Sequence, residues 1–292
     1  MERLFPPESP FPESRFITID EITIHYRTYD PGSDVLGKVV LLHGVGGSTF
    51  SFQRIAPLLA QAGYAVLSVD QPGFGFSDPA TAFVHSPENR AALLWHIMER
   101  LDGEDPAFEP TEAWSIVGHS IGAQAAVELA REQPARVKSL ALVAAALVKE
   151  SFPLCCYWFP PVRWGMRSWL ANSVFTEAGV RELLADAYGR EPSPEEIDGY
   201  LGPLVRPGAA HGVSRFLETS TPWNPALEAI VVPTLVIWGS QDSWIEPEIA
   251  ESIAQRIADS RLEFIEGAGH SPLETHTEAT LPLLLEWFEA PR

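Results

Sequence analysis

At 292 residues, 46% of them hydrophobic and 10% aromatic, the chain is long enough for one α/β domain with an insertion and apolar enough to bury a sizeable core. Its formal net charge of −19 excludes the electrostatics of binding nucleic acid or an anionic membrane, because both surfaces repel it. Its two cysteines, Cys155 and Cys156, are adjacent, which is poor geometry for a mutual disulfide and implies no disulfide framework.

The opening stretch MERLFPPESPFPESRF is rich in proline and acid and lacks the basic segment and apolar run of a secretory signal. The longest apolar run, SLALVAAALV, is far too short to span a bilayer. A soluble cytoplasmic protein is expected, monomeric or homodimeric, with no nucleic-acid partner.

After this lead, RFITID and ITIHYRTYD alternate apolar and polar residues around Asp20 and Glu21, the pattern of an antiparallel hairpin. The character then changes. Residues 38–43, 64–70, 113–120, 137–146, 233–240 and 261–267 are short, nearly continuous apolar runs, as in strands buried on both faces of a parallel sheet. Between them, FSFQRIAPLLAQAG, PENRAALLWHIMERL, GAQAAVELAREQ and PEIAESIAQRIA carry helical spacing. Strand and helix in alternation imply right-handed crossovers and a doubly wound, mostly parallel sheet of eight strands, the N-terminal hairpin included. THTEATLPLLLEWFEA closes the chain as a helix, with Pro282 in its first turn or at a kink.

The rhythm breaks between Ala146 and Ala226, a stretch too long for a simple crossover. It predicts an inserted, mostly helical cap at 146–226 between core segments 1–145 and 227–292. Here FPLCCYWFPPVRWGMRSWL concentrates Tyr157, Trp158, Phe159, Trp164 and Trp169. These aromatics read first as interdomain core. Trp158 and Trp164, with Trp244 and His119, are also candidate substrate contacts.

GHSIGA, residues 118–123, follows an apolar run and precedes a run of good helix formers. A strand, a tight turn and a helix are the setting of a nucleophile elbow, with Ser120 projecting at the C-terminal edge of the sheet. The helix N-terminus beneath it favours developing negative charge. A serine hydroxyl needs a base, and the base needs an orienting acid. Among eight histidines, His270 in EGAGHSP lies in a glycine-rich loop after the last strand, at the correct edge. Asp242 in WGSQDSW lies after the preceding strand, giving the chain order Ser120, Asp242, His270. Oxyanion donors are expected at the backbone N–H of Ile121 and of Val45 in HGVGGS.

Phosphate-binding readings of the same loops fail. HGVGGS lacks the Lys-Ser/Thr of a Walker loop, and neither it nor DQPGFGFSD has dinucleotide spacing. No His, Asp and Glu cluster has metal-ligand spacing, so neither metal nor organic cofactor is expected.

Taken in order, HGVGGS, DQPGFGFSD, GHSIGA and the pair WGSQD and GAGHSP resemble the α/β-hydrolase fold family. The resemblance covers all but the proline-rich start and the insertion, and assigns the same triad and oxyanion donors. Ser120 departs from the aspartate nucleophile of epoxide hydrolases and haloalkane dehalogenases. Carbon–carbon hydrolases of this family usually carry Trp after the catalytic histidine, where Ser271 stands. Proline iminopeptidases generally show HGGPG, and cofactor-free haloperoxidases an aromatic at the Val45 position. The resemblance therefore implies a carboxylesterase acting on small to medium apolar esters through an acyl-enzyme. The alternatives are C–C hydrolysis of ring-fission products, with Arg163 or Arg167 supplying a cation, and a silent relative acting as a binding protein.

Overall fold

The computed structural model describes residues 11–32, 35–80, 82–105, 107–108, 113–147, 160–220, 223 and 225–290. Eight strands form one sheet: β1 (Ser14–Ile19), β2 (Ile22–Tyr29), β3 (Gly37–Leu42), β4 (Tyr64–Val69), β5 (Trp114–His119), β6 (Val137–Val143), β7 (Thr234–Gly239) and β8 (Ser260–Ile265). Their order is β1-β2-β4-β3-β5-β6-β7-β8. β1 and β2 form the expected hairpin, Ser14 opposite Arg27, and β2 joins β4 antiparallel; every other pairing is parallel. This is the α/β-hydrolase fold.

The continuous apolar runs divide by residue parity, as a pleated strand requires. Val40, Leu42, Leu67 and Ile116 face α2 (Pro87–Glu104), α3 (Gly122–Glu132) and α8 (Pro247–Arg256), meeting Leu94, Val127 and Ile253. Val39, Leu41, Val66 and Val117 face the other way, onto Ile55 and Leu59 of α1 (Ile55–Gln61) and Leu284 and Phe288 of α10 (Thr277–Glu289). Both faces of the central strands are therefore dry, whereas the edge strands β1 and β8 are only partly covered, so the run at 261–267 is not buried on both faces as expected. Every loop at the strands' C-terminal ends is left to gather along one edge.

The chain runs from β3 outward to β4, then returns past β3 to β5, so the direction of winding reverses between β3 and β5. Such a switch point opens a crevice at the strand ends. The register sets Leu42 beside Gly118, which brings the loop after β3 against the turn after β5.

Between β6 and β7, α4 (Pro160–Trp169), α5 (Glu177–Tyr188), α6 (Pro194–Leu204) and α7 (Ala209–Thr219) pack over that edge. Leu184, Ile197, Leu204, Val213 and Phe216 from these helices share one apolar cluster with Phe74 and Ile121 of the sheet-edge loops. No helix among the described residues is long and apolar enough to cross a membrane.

Three local expectations need correction. β6 stops at Val143, short of the apolar run's end at Ala146, because Ala144 turns to φ +45°. The closing helix α10 begins at Thr277 rather than Thr275, which ends the short α9 (Pro272–Thr275), and of the two places expected for Pro282 the first turn is ruled out, since it sits inside α10. Trp164 and Trp169 are 77% and 55% exposed, so neither belongs to an interdomain core. Aromatic density in sequence says how much apolar surface a segment carries, not which way a helix turns it; on α4 it is Met166 that packs inward. Cys155, Cys156, Tyr157, Trp158 and Phe159 lie outside the described residues.

Candidate active site

Ser120 follows the last residue of β5 at φ +51°, a left-handed conformation that costs an L-residue roughly 1–2 kcal/mol. Neighbouring chain holds it there. Its N–H donates to the Val143 carbonyl at 3.0 Å, and its own carbonyl accepts from Ala123 and Ala146, both at 3.1 Å. The flanking glycines supply space. A Cβ on Gly118 would stand 2.6 Å from the Ala123 Cα, and one on Gly122 would strike the Leu42 carbonyl. The GxSxG pattern is thus the steric condition for α3 to start directly beneath the serine.

His270 and Asp242 reach Ser120 from the loops after β8 and β7. His270 Nε2 lies 3.1 Å from Ser120 Oγ, and His270 Nδ1 lies 2.9 Å from Asp242 Oδ2. The second carboxylate oxygen accepts the N–H groups of Trp244 at 2.9 Å and Ile245 at 3.0 Å. With both oxygens so engaged, the Asp242 carboxylate is fixed in plane, and Nδ1 is the ring nitrogen that donates. Nε2 is left to accept from the serine hydroxyl. All three residues are buried.

Two further rings flank His270. Trp244 lies with its centroid 4.9 Å away at an interplanar angle of 30°, and His119 lies 5.1 Å away. Burial, with His270 beside it, pushes His119 down to about 3, so it stays neutral and donates Nε2–H to the His270 carbonyl at 2.9 Å. Of the sequence-predicted contacts, His119 and Trp244 are therefore brought to the histidine. Trp164 points largely into solvent, and Trp158 lies outside the described residues.

Val45 is 41% exposed on the loop after β3. Among the described residues, its N–H and that of Ile121 meet no protein acceptor. A network invisible in sequence braces this loop against the elbow. His43, held neutral by burial, donates Nδ1–H to the Gly44 carbonyl at 2.7 Å and accepts the Gln71 N–H on Nε2 at 3.0 Å. Arg90 on α2 then links Gln71 Oε1 at 3.1 Å, the Ile121 carbonyl at 3.3 Å and Gln124 Oε1 at 2.7 Å. Burial lowers the Arg90 guanidinium to about 10, which still leaves it charged at neutral pH. Nothing in the spacing of residues 43, 71, 90 and 124 announces this contact set.

A second Ser–His–Asp array lies elsewhere and was also hidden. Ser14 Oγ is 2.8 Å from His25 Nε2, and His25 Nδ1 is 2.7 Å from Asp70 Oδ2. It joins the hairpin to the loop after β4. Burial pushes the Asp70 carboxyl up, but His25, His43 and the Phe76 N–H outweigh it and hold it below the ordinary value.

Residues 33–277 match the family described as serine aminopeptidase, S33. A pimeloyl-[acyl-carrier protein] methyl ester esterase of Neisseria meningitidis is 29% identical over 264 residues, covering 88% of this chain and 94% of its own. A 2-hydroxy-6-oxononadienedioate/2-hydroxy-6-oxononatrienedioate hydrolase of Cupriavidus pinatubonensis is 27% identical over 288 residues, covering 91% and 92%. Among solved structures, a probable hydrolytic enzyme from Pseudomonas aeruginosa superposes with a TM-score of 0.78 at 22% identity, covering 95% of this chain and 94% of that one.

Proposed function

The chain belongs to the serine aminopeptidase S33 family, and on that premise we propose that it is a serine hydrolase that cleaves carboxylic esters of small to medium apolar substrates through an acyl-enzyme. The observation that carries this reading is Ser120 itself: strained to φ +51°, 3.1 Å from the histidine nitrogen opposite the one that Asp242 engages.

Ser120 Oγ attacks the ester carbonyl carbon while His270 Nε2 takes its proton. Asp242 holds the imidazole tautomer and stabilises the imidazolium. The carbonyl oxygen, now an oxyanion, accepts from the N–H groups of Val45 and Ile121, a role supported by their having no protein acceptor among the described residues. His270 gives the proton to the leaving alcohol. Water then attacks the acyl carbon by the same route, releasing the acid and restoring Ser120. The inserted helices act as a cap over this site, leaving the acyl or alcohol group between them and the sheet edge.

The meeting of the three side chains weighs against a silent binding protein. C–C hydrolysis of an acidic ring-fission product would need a free cation over the site. Arg163 and Arg167 are instead turned onto Glu218, at 3.6 and 3.1 Å. An aminopeptidase would have to seat a free substrate amine.

Burst-phase hydrolysis of p-nitrophenyl esters from acetate to decanoate, beside amino-acyl p-nitroanilides, tests the reading. Ester turnover that depends on acyl length and falls about 10⁴–10⁶-fold in Ser120→Ala is expected. Silence on every ester, or equal turnover by the alanine variant, would sink it.

A further inference from the structure

Three consecutive residues close α5, and each touches a different segment of the site. Asp186 Oδ2 accepts the Trp244 indole N–H at 2.6 Å. The Ala187 carbonyl accepts the His270 backbone N–H at 2.7 Å. Tyr188 donates its hydroxyl to Glu274 Oε2 at 2.8 Å, on the helix that begins two residues after His270.

These contacts reach the chemistry by short routes. The Trp244 ring that Asp186 aims is the one lying against His270, and the backbone N–H of the same tryptophan binds Asp242. The histidine's main chain is fixed at Ala187, and a Cβ on Gly269 would stand 2.5 Å from that carbonyl. The glycine before His270 is therefore the room the cap backbone occupies. Glu274 is tied to the cap a second time, through Tyr200 of α6 at 2.7 Å, whose hydroxyl also meets Ser51 at 2.8 Å. An imidazole has two rotatable bonds. Asp242 restrains one ring edge, while Trp244 and His119 confine the faces.

We propose that Asp186, Ala187 and Tyr188 form a clamp through which the cap positions His270 and the Asp242 loop, so that seating the cap and assembling the triad are a single event. The proposal rests on Ser120, Asp242 and His270 being the triad. Asp186, Tyr188 and Glu274 are then positioning residues, acting through Trp244, the His270 main chain and α9. The clamp also makes a cap displaced by product or by mutation an inactive enzyme, even toward substrates too small to touch it.

The test uses the full chain and p-nitrophenyl acetate, the shortest ester. Asp186 is exposed, so Asp186→Ala leaves the core intact. Its kcat should fall about ten- to a hundred-fold with KM nearly unchanged, and its rate of Ser120 modification by a fluorophosphonate should fall in step. Asp186→Asn, which keeps an acceptor for the indole, should recover most of the loss. Trp244→Phe should reproduce the Asp186→Ala effect and add little to it in the double variant. The low-field proton of the His270–Asp242 hydrogen bond should exchange faster in Asp186→Ala. Unchanged kcat and unchanged proton exchange in Asp186→Ala, with wild type modified at Ser120, would overturn the clamp alone. An effect confined to KM would overturn it too, assigning Asp186 to substrate binding. A wild type not modified at Ser120 would overturn the triad and the clamp together.

Discussion

The chain carries two Ser–His–Asp arrays of nearly the same dimensions: Ser120–His270–Asp242 at 3.1 and 2.9 Å, and Ser14–His25–Asp70 at 2.8 and 2.7 Å. Distances do not separate them; surroundings do. Ser120 stands in a strained turn, beside two backbone N–H groups with no protein acceptor among the described residues. Ser14 opens a regular strand, and its Oγ already accepts the Phe11 N–H at 3.1 Å. The His25 ring is walled by Phe11, Phe16 and Phe76, with centroids at 6.1, 5.1 and 5.6 Å. Asp70 also accepts the Thr49 and Phe76 N–H groups, so it ties β2 and the segment after β3 to its own loop. The first array has beside its serine two backbone N–H groups that meet no protein acceptor among the described residues, as the proposed chemistry requires. The other spends its whole hydrogen-bonding capacity on the fold.

Substitutions at matched positions should pull the two arrays apart. Asp242→Asn, which disturbs the His270 tautomer, should lower kcat about 10⁴-fold while the melting temperature barely moves. Comparable activity would mean that Asp242 orients nothing. Asp70→Asn should do the reverse, costing about 3–5 kcal/mol of stability by urea titration while the molecules still folded turn over normally. A stable but inactive variant would place Asp70 in the chemistry.

A third contrast is with Glu274, a buried carboxyl outside both arrays. Burial pushes it up to about 7, against the hydrogen bonds from Tyr200 and Tyr188. Between the ordinary value of 4.5 and 7 the folded chain keeps a proton that the unfolded chain has lost. Stability should therefore fall as pH rises through that window, by up to about 1.4 kcal/mol per pH unit and about 3 kcal/mol in all. Glu274→Gln should remove this slope, and parallel pH profiles for the two proteins would refute the assignment. The smallest effect is expected of Ser14→Ala, about 1 kcal/mol of stability with kcat unchanged.

The sequence revealed the sheet, its hairpin and the three loops of the candidate site for a common reason. Dry strands must be continuous apolar runs, and a reactive side chain at a strand end leaves a local pattern such as GHSIGA or GAGHSP. Contacts made across the fold left no such trace. Ser14, His25 and Asp70 occupy an ordinary alternating strand pair and a glycine-rich loop, and only the β2–β4 pairing brings His25 to Asp70. The clamp at 186–188 reads in sequence as the end of an unremarkable helix. Trp164 and Trp169 misled in the opposite sense, since their number suggested a core that the rotation of α4 does not make.

The most direct measurement is the site of covalent modification by a fluorophosphonate, mapped by peptide mass spectrometry in the wild-type protein. A single adduct on Ser120, absent from Ser14 and abolished by His270→Ala, is the predicted result. An adduct on Ser14, or an unmodified Ser120 under conditions that inactivate the enzyme, would contradict the account.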